Sequence, residues 1–359
     1  MSEWSNRRGR HHSLGLPTGT ETLQLQEAAR HRRITRVLED QFELWGYTPA
    51  ETPLVDYFDV YQPLLTPEGV RSTYRAMDRQ GEILSVRADT TLFLAKQLGL
   101  HLSAEELPVR VWYNDQIVRA EEEHDIASND YQQAGLELVG ASGIEADAEV
   151  LTILRESLRA LSLEDAAIHL GHHRILEAIT PDGVAPAALR SLVRRRNPVP
   201  ADWGLTADLQ ELLLFIGCRK SFSTHLLRWT LPAEVRSAAE ELLALADLLP
   251  ATSSGGSTLP AIRIDLSELA AHDYYSGIAF SAYHPGSTAA IARGGRYDHL
   301  LGHFGYDAPS VGFSVFTRKL PAETLREEHR PSPPAPGQTF AERVARAQDA
   351  HERGERMHL

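Results

Sequence analysis

Cysteine is almost missing from this chain: Cys218 is the only one in 359 residues. A single thiol can form neither an intrachain disulfide nor a thiolate metal cluster. Long apolar runs are missing as well. The longest, Leu212 to Ile216, is far below the ~20 residues that a bilayer-spanning helix requires, so no membrane partner is expected. There is no excess of positive charge: 36 Lys and Arg stand against 49 Asp and Glu, a formal net charge of −13. Such acidity argues against a protein whose main task is gripping a phosphate backbone. The first residues are basic (Arg7, Arg8, Arg10, His11, His12) but lack the apolar core of a signal peptide. A cytoplasmic protein with a disordered tail over residues 1–13 is expected.

What is present is ordinary globular material, 42% hydrophobic and 24% charged. The length allows a large core and two folding units. From Leu23 to Trp45 the apolar positions Ile34, Leu38, Phe42 and Trp45 repeat at helical spacing, and Gly46 ends the pattern. Residues 51–58, with Pro53 among them, read as an extended edge segment suited to a sheet margin or a dimer contact. Residues 73–86 look like a hairpin turning at DRQG. The next run, Arg87-Ala88-Asp89-Thr90-Thr91, opens a helix. A helix cap needs one such polar residue, and here there are several.

The stretch 119–140, RAEEEHDIASNDYQQAGLELVG, follows the strand-like VWYNDQIV and predicts two strands joined by a polar loop. One parity carries Tyr131, Gln133, Gly135 and Glu137, an amide, a glycine and a carboxylate where a core strand would carry Val or Ile. That face is either a solvated edge or a site whose polar groups are met by a small ligand. Residues 144–163 form an amphipathic helix. Residues 174–258 are short helical patterns broken by Pro and Gly, ending in TSSGGST. Strand patterns resume at 261–268, 272–283, 289–301 and 310–320, the third read as a strand followed by a Gly294-Gly295 turn. Hairpin-length links between them favour an antiparallel sheet flanked by helices, an α+β fold. A Pro-rich linker and a charged helix fill 321–359. Adjacent His172 and His173 point apart with no third ligand at a zinc-like spacing, so no metal is expected.

The pieces GYTPAETP, SVRADTT, VRAEEEH…NDYQQAGLELVG, HDYYSG, ARGGRYDHLLGHFG and SVGFSVF resemble, in that order, the catalytic domain of histidyl-tRNA synthetase over roughly residues 16–320. The resemblance implies a class II synthetase fold, a six-stranded antiparallel sheet with helices, dimeric through the segment around Pro53. The synthetase-like domain would occupy 14–173 and 259–320, with a helical insertion at 174–258. It further implies an amino-acid pocket. Asp89 and Thr91 match positions that hold the α-amino group, Arg119 offers a cation for the carboxylate, and Gln133 lies near both. Glu137 matches the acceptor of the imidazole N–H, with Tyr274 and Tyr275 beside it. A carboxylate and a hydroxyl suit a ring with two distinct nitrogens.

The departures are equally informative. A catalytic arginine of the synthetase corresponds to Ala270 here, and the arginine closing the third class II motif corresponds to Lys319. Lysine keeps the charge without the planar bidentate geometry, and phosphoryl chemistry depends on charge positioned at the phosphates. The 39 residues after 320 are too few for an anticodon-binding domain of about a hundred. Only the arginine of the second motif, Arg119, is kept. A domain that retains the histidine pocket, loses the ATP and tRNA apparatus and needs no cofactor is similar to a paralogous family, the regulatory subunits of ATP phosphoribosyltransferase. That likeness implies a non-enzymatic protein partnered with a short-form catalytic subunit in a hetero-octamer, with histidine as feedback effector. Two other readings stay open on the sequence: a diverged histidyl-tRNA synthetase and a synthetase-like RNA-binding module. Whether histidine sits in the pocket or at the subunit interface is open too.

Overall fold

In the computed structural model, the described residues are 16, 19–20, 22–120, 129–268, 274–325 and 340–352. The tail 1–13, the loop 121–128, Ala270 and most of the Pro-rich linker lie outside them. The chain divides into a compact unit, Met1–Thr324, and a second, Leu325–Leu359, which contains the helix Phe340–Glu352.

Twelve strands are numbered in chain order: β1 (Thr48–Pro49), β2 (Val55–Tyr57), β3 (Arg75–Met77), β4 (Ile83–Val86), β5 (Val109–Val118) and β6 (Asp130–Val139); then β7 (Ala167–His172), β8 (Ile216–Gly217), β9 (Ala261–Asp265), β10 (Ile278–Tyr283), β11 (Ala292–Arg296) and β12 (Ser310–Phe316). Nine of them form one sheet in the order β1-β5-β6-β12-β11-β10-β7-β9-β8. Its centre, β5 through β7, is the expected six-stranded antiparallel sheet. β1 adds to one margin in parallel with β5, and β9 adds to the other in parallel with β7. The pair β3–β4 is the hairpin expected at 73–86, and β2 joins it as an edge strand, making a three-stranded sheet. The turn closes because Asp78 accepts from the Gln80 and Glu82 amides and Gly81 takes φ +91°.

One face of the large sheet is covered by helices. The helix Leu25–Leu44 buries Ile34, Leu38 and Phe42, and the Phe42 ring meets Phe313 and Trp112 at centroid distances of 5.8 and 6.4 Å. Trp45 lies beyond the end of this helix and is 41% exposed, so it does not extend the buried stripe. Gly46 ends the helix with φ +80°, a conformation that costs glycine little. The helix Ile144–Ala160 lies beside it and buries Val150, Leu151, Ile153, Leu154 and Leu158. Residues 174–258 contribute helices, of which Ala233–Leu248 packs on Ile144–Ala160 and β7. They also contribute β8, which pairs with β9 in the main sheet.

Gly294 and Gly295 do not form the turn that the sequence suggested. They lie inside β11, paired with β10 and β12. The reason is steric. A Cβ on Gly294 would collide with the Gly312 carbonyl, and one on Gly295 with the Tyr275 ring. The next residue, Arg296, is buried and anchors the strand: its Nη2 meets Asp147 Oδ1 at 2.6 Å and its Nη1 meets Asp298 at 3.0 Å. A buried cation needs this degree of pairing.

Candidate functional site

Opposite the helix-covered face, the centre of the sheet opens into a cleft of about 530 Å³, a volume that includes space open to solvent. Six of the seven residues singled out from the sequence line it: Asp89, Thr91, Arg119, Gln133, Tyr274 and Tyr275. They come from separate parts of the chain. Asp89 and Thr91 stand at the start of the helix Thr90–His101. Gln133 projects from β6, Arg119 follows β5, and the tyrosines precede β10.

Asp89 does cap its helix, accepting from the Leu92 amide at 3.4 Å, which suits a carboxylate at a positive helix end. Its other oxygen takes Arg119 Nη2 at 3.1 Å, and Arg119 Nε donates to the Ala88 carbonyl. Arg119 is thus the cation that holds Asp89 in place. Gln133 is committed at both ends of its amide: Oε1 accepts from the Thr90 amide at 3.1 Å, and Nε2 donates to Ser314 Oγ at 2.8 Å. Arg87, in the same polar run, serves the framework, reaching Asp115 at 3.1 Å and the Thr52 carbonyl at 2.6 Å.

Glu137 sits behind the cavity wall. Its carboxylate accepts from Thr91 Oγ1 at 2.7 Å and from the Tyr297 hydroxyl, with the Tyr113 hydroxyl at 3.4 Å. Gly312 is required across the strand pair, because a Cβ there would occupy the place of this carboxylate. Burial pushes the Glu137 carboxyl up to about 8, against the lowering effect of these hydroxyl donors. At neutral pH it is therefore mostly a neutral acid. Tyr274 and Tyr275 stack at 4.9 Å and stand edge-on to Tyr297 at 5.8 and 6.3 Å. Burial raises the pKa of all three phenols, keeping them as neutral donors.

Sequence reasoning missed the polar lining residues Glu268, Arg293, Ser281 and Ser314. Ser281, Arg293 and Ser314 are register partners across β10, β11 and β12. Strand alternation through 293 and 295 would have exposed this row, but reading Gly-Gly as a turn cut the pattern short. The cavity then holds two acids, Asp89 and Glu268, and two arginines, Arg119 and Arg293. Such balance suits a zwitterion better than a polyanion.

One grouping of metal-type donors occurs among the described residues, His169, Asp265 and Glu268. Arg196 already meets Asp265 Oδ2 at 2.6 Å, and Tyr283 donates to Glu268 at 2.6 Å. The carboxylates there serve protein donors. Lys319, placed by the sequence at the end of the third class II motif, lies outside the cavity lining, with its ammonium 5.5 Å from the centre of the Phe316 ring.

Comparison with known proteins fits this architecture. The family profile described as histidyl-tRNA synthetase matches residues 19–320. A chain from Moorella thermoacetica named ATP phosphoribosyltransferase regulatory subunit is 31% identical over 320 residues, covering 86% of this chain and 81% of its own length. A Pseudomonas putida protein of the same name is 32% identical over 321 residues, covering 85% and 79%. This chain belongs to the family of ATP phosphoribosyltransferase regulatory subunits, built on the histidyl-tRNA synthetase fold. Among solved structures, a Bacillus halodurans protein described as an ATP phosphoribosyltransferase regulatory subunit/histidyl-tRNA synthetase aligns with a TM-score of 0.79. The alignment covers 97% of this chain and 93% of that one at 23% identity. Histidyl-tRNA synthetase from Nostoc aligns with a TM-score of 0.75 over 96% and 85%, at 18% identity. Both establish the shared fold. In this regulatory-subunit family member, the fold positions the cavity by lining it with residues of β6, β10, β11 and β12.

Proposed function

We propose that the chain is a non-catalytic regulatory subunit acting in histidine biosynthesis. It binds and activates a short-form ATP phosphoribosyltransferase catalytic subunit and confers inhibition by histidine, which occupies the cavity. One observation carries the reading: a charge-balanced cavity at the centre of a synthetase-type sheet, lined by Asp89, Thr91, Gln133 and the stacked tyrosines. Asp89 and Thr91 accept the ammonium, while the tyrosine hydroxyls and the Thr91–Glu137 pair address the imidazole. Buried polar groups of this kind reject amino acids that would leave them unpaired. The absence of an arginine at 270 and the place of Lys319 on the Phe316 ring speak against ATP-dependent activation of the amino acid.

Regulation follows if histidine binds one conformation of the assembly better than another. Self-association is part of the reading. Leu54, Val55, Tyr57, Met77 and Ile83 are exposed on or beside the three-stranded sheet, which suits a dimer contact near Pro53. A cytoplasmic location and independence from tRNA complete it.

Mixing the purified chain with a cognate short-form catalytic subunit tests the proposal. Stimulated product formation, reversed by histidine, is expected. No stimulation would refute it, and histidine-dependent pyrophosphate exchange by the chain alone would assign it an adenylating activity instead.

A further inference from the structure

The residue that the site as described leaves without employment is Arg293. Its position in β11 puts it between Ser281 on β10 and Ser314 on β12, and all three line the cavity. Alternation places it on the same face as Gly295, where an added Cβ would strike the Tyr275 ring. The guanidinium therefore belongs to the tyrosine-lined space rather than to the helix layer.

Other arginines of the molecule show how this fold treats a cation it has taken out of water. Arg296 is shared by Asp147 and Asp298. Arg155 donates to the carbonyls of Pro250 and Pro260 at 2.6 and 2.8 Å. Arg119 is spent on Asp89 and the Ala88 carbonyl. Arg293 is half-buried, yet among the described residues its guanidinium has no hydrogen bond or ion pair. Glu268, the other newly found charge in the cavity, is held by the Tyr283 hydroxyl at 2.6 Å. A guanidinium carries five donors and no acceptor. Partly desolvated and unmatched, it is costly unless an anion arrives.

We propose that Arg293 is the carboxylate-binding residue of the cavity, taking the α-carboxylate of the bound amino acid in a bidentate pair. This rests on the reading of the cavity as a histidine site and changes the role given to Arg119. That residue is a positioning cation, holding Asp89 toward the ammonium. The planar fork of arginine matches a carboxylate. A phosphate group, carrying more charge, would face Asp89 and Glu268 with one uncommitted cation to meet it, so the site selects a single carboxylate.

Calorimetry with histidine and with histidinol, which has an alcohol in place of the carboxylate, separates the roles. The full chain is titrated alone and in complex with the catalytic subunit. The unaltered chain is expected to prefer histidine by about 100-fold, and Arg293→Gln to lose most of that preference by weakening histidine alone. Arg293→Lys keeps the charge without the fork and falls between the two. Arg119→Gln weakens both ligands alike, because it releases the shared ammonium acceptor. Arg293→Gln that binds histidinol as the unaltered chain does is thereby shown to be folded. An Arg293→Gln chain that keeps the full preference overturns the inference and leaves the histidine site standing. Failure of the unaltered chain to bind either ligand, alone or in complex, overturns both.

Discussion

The two faces of the central sheet are built from the same strands and obey different rules. On β6, Ala134, Leu136 and Leu138 are fully buried beneath the helix layer, while Gln133, Gly135 and Glu137 alternate with them toward the cavity. β12 repeats the scheme, with Val311, Phe313 and Val315 on one side and Gly312 and Ser314 on the other. Where helices cover the sheet, volume and apolar area decide the residue. Where the cavity lies, hydrogen-bond partners and the room left by missing Cβ atoms decide it. Stability and the shaping of the cavity are thus interleaved residue by residue, and substitution should pull them apart.

The largest effect is expected on the helix face. Leu136→Ala should cost about 4 kcal/mol of unfolding free energy in urea melts, through lost burial and an unfilled cavity. Histidine affinity should stay within about threefold, since the side chain points away from the ligand. A large loss of affinity in a folded variant would break the division of labour between the faces. On the other parity, Gly312→Ala places a methyl group where the Glu137 carboxylate lies. It should cost about 3 kcal/mol by overpacking and displaced hydrogen bonds, and here histidine binding should fall as well. Binding unchanged from the parent would show that Glu137 does not organise the wall.

Glu137 also gives the cavity face a pH signature. Its folded pKa is raised from 4.5 to about 8, so the native state holds the proton more tightly than the unfolded chain does. The resulting stability is full below about pH 4.5 and is lost as pH rises through about 8. Glu137→Gln should flatten the decline of thermal stability across that window, a difference on the order of a few kcal/mol at its upper end. Parallel pH profiles for the two proteins would contradict the assignment. The smallest change in monomer stability is expected from Met77→Asp, on an exposed position of the three-stranded sheet. It should shift the chain from dimer to monomer in sedimentation with under about 0.5 kcal/mol lost from the fold. An unmoved sedimentation coefficient would place self-association elsewhere.

The helix face was the legible half of the molecule. Apolar residues at helical spacing announced Leu25–Leu44 and Ile144–Ala160, and alternation announced β5, β6, β9 and β12. Strand parity flagged Gln133, an excess of polar residues flagged Asp89 and Thr91, and collinear motifs gave Arg119, Tyr274 and Tyr275 their place beside them. Arg293 and Glu268 escaped because neither belongs to a quoted role in those motifs, and because two glycines inside β11 imitate a turn. Only the packing of Phe280 and Tyr275 against those glycines reveals why they are in a strand. Trp45 misled for a related reason: periodicity continues past Leu44, while Gly46 adopts positive φ and the chain leaves the helix. Commitments such as Arg119 to Asp89 or Gln133 to Ser314 depend on three-dimensional neighbours that no spacing encodes.

The central claim, that histidine in this cavity governs the partner, is tested most directly by inhibition curves on the reconstituted assembly carrying Asp89→Asn. Asparagine can still cap the helix but removes the charge that faces the ammonium. Full activation of the catalytic subunit is expected, with the histidine concentration for half-inhibition raised at least about tenfold. Activation intact with an unshifted inhibition curve would contradict it.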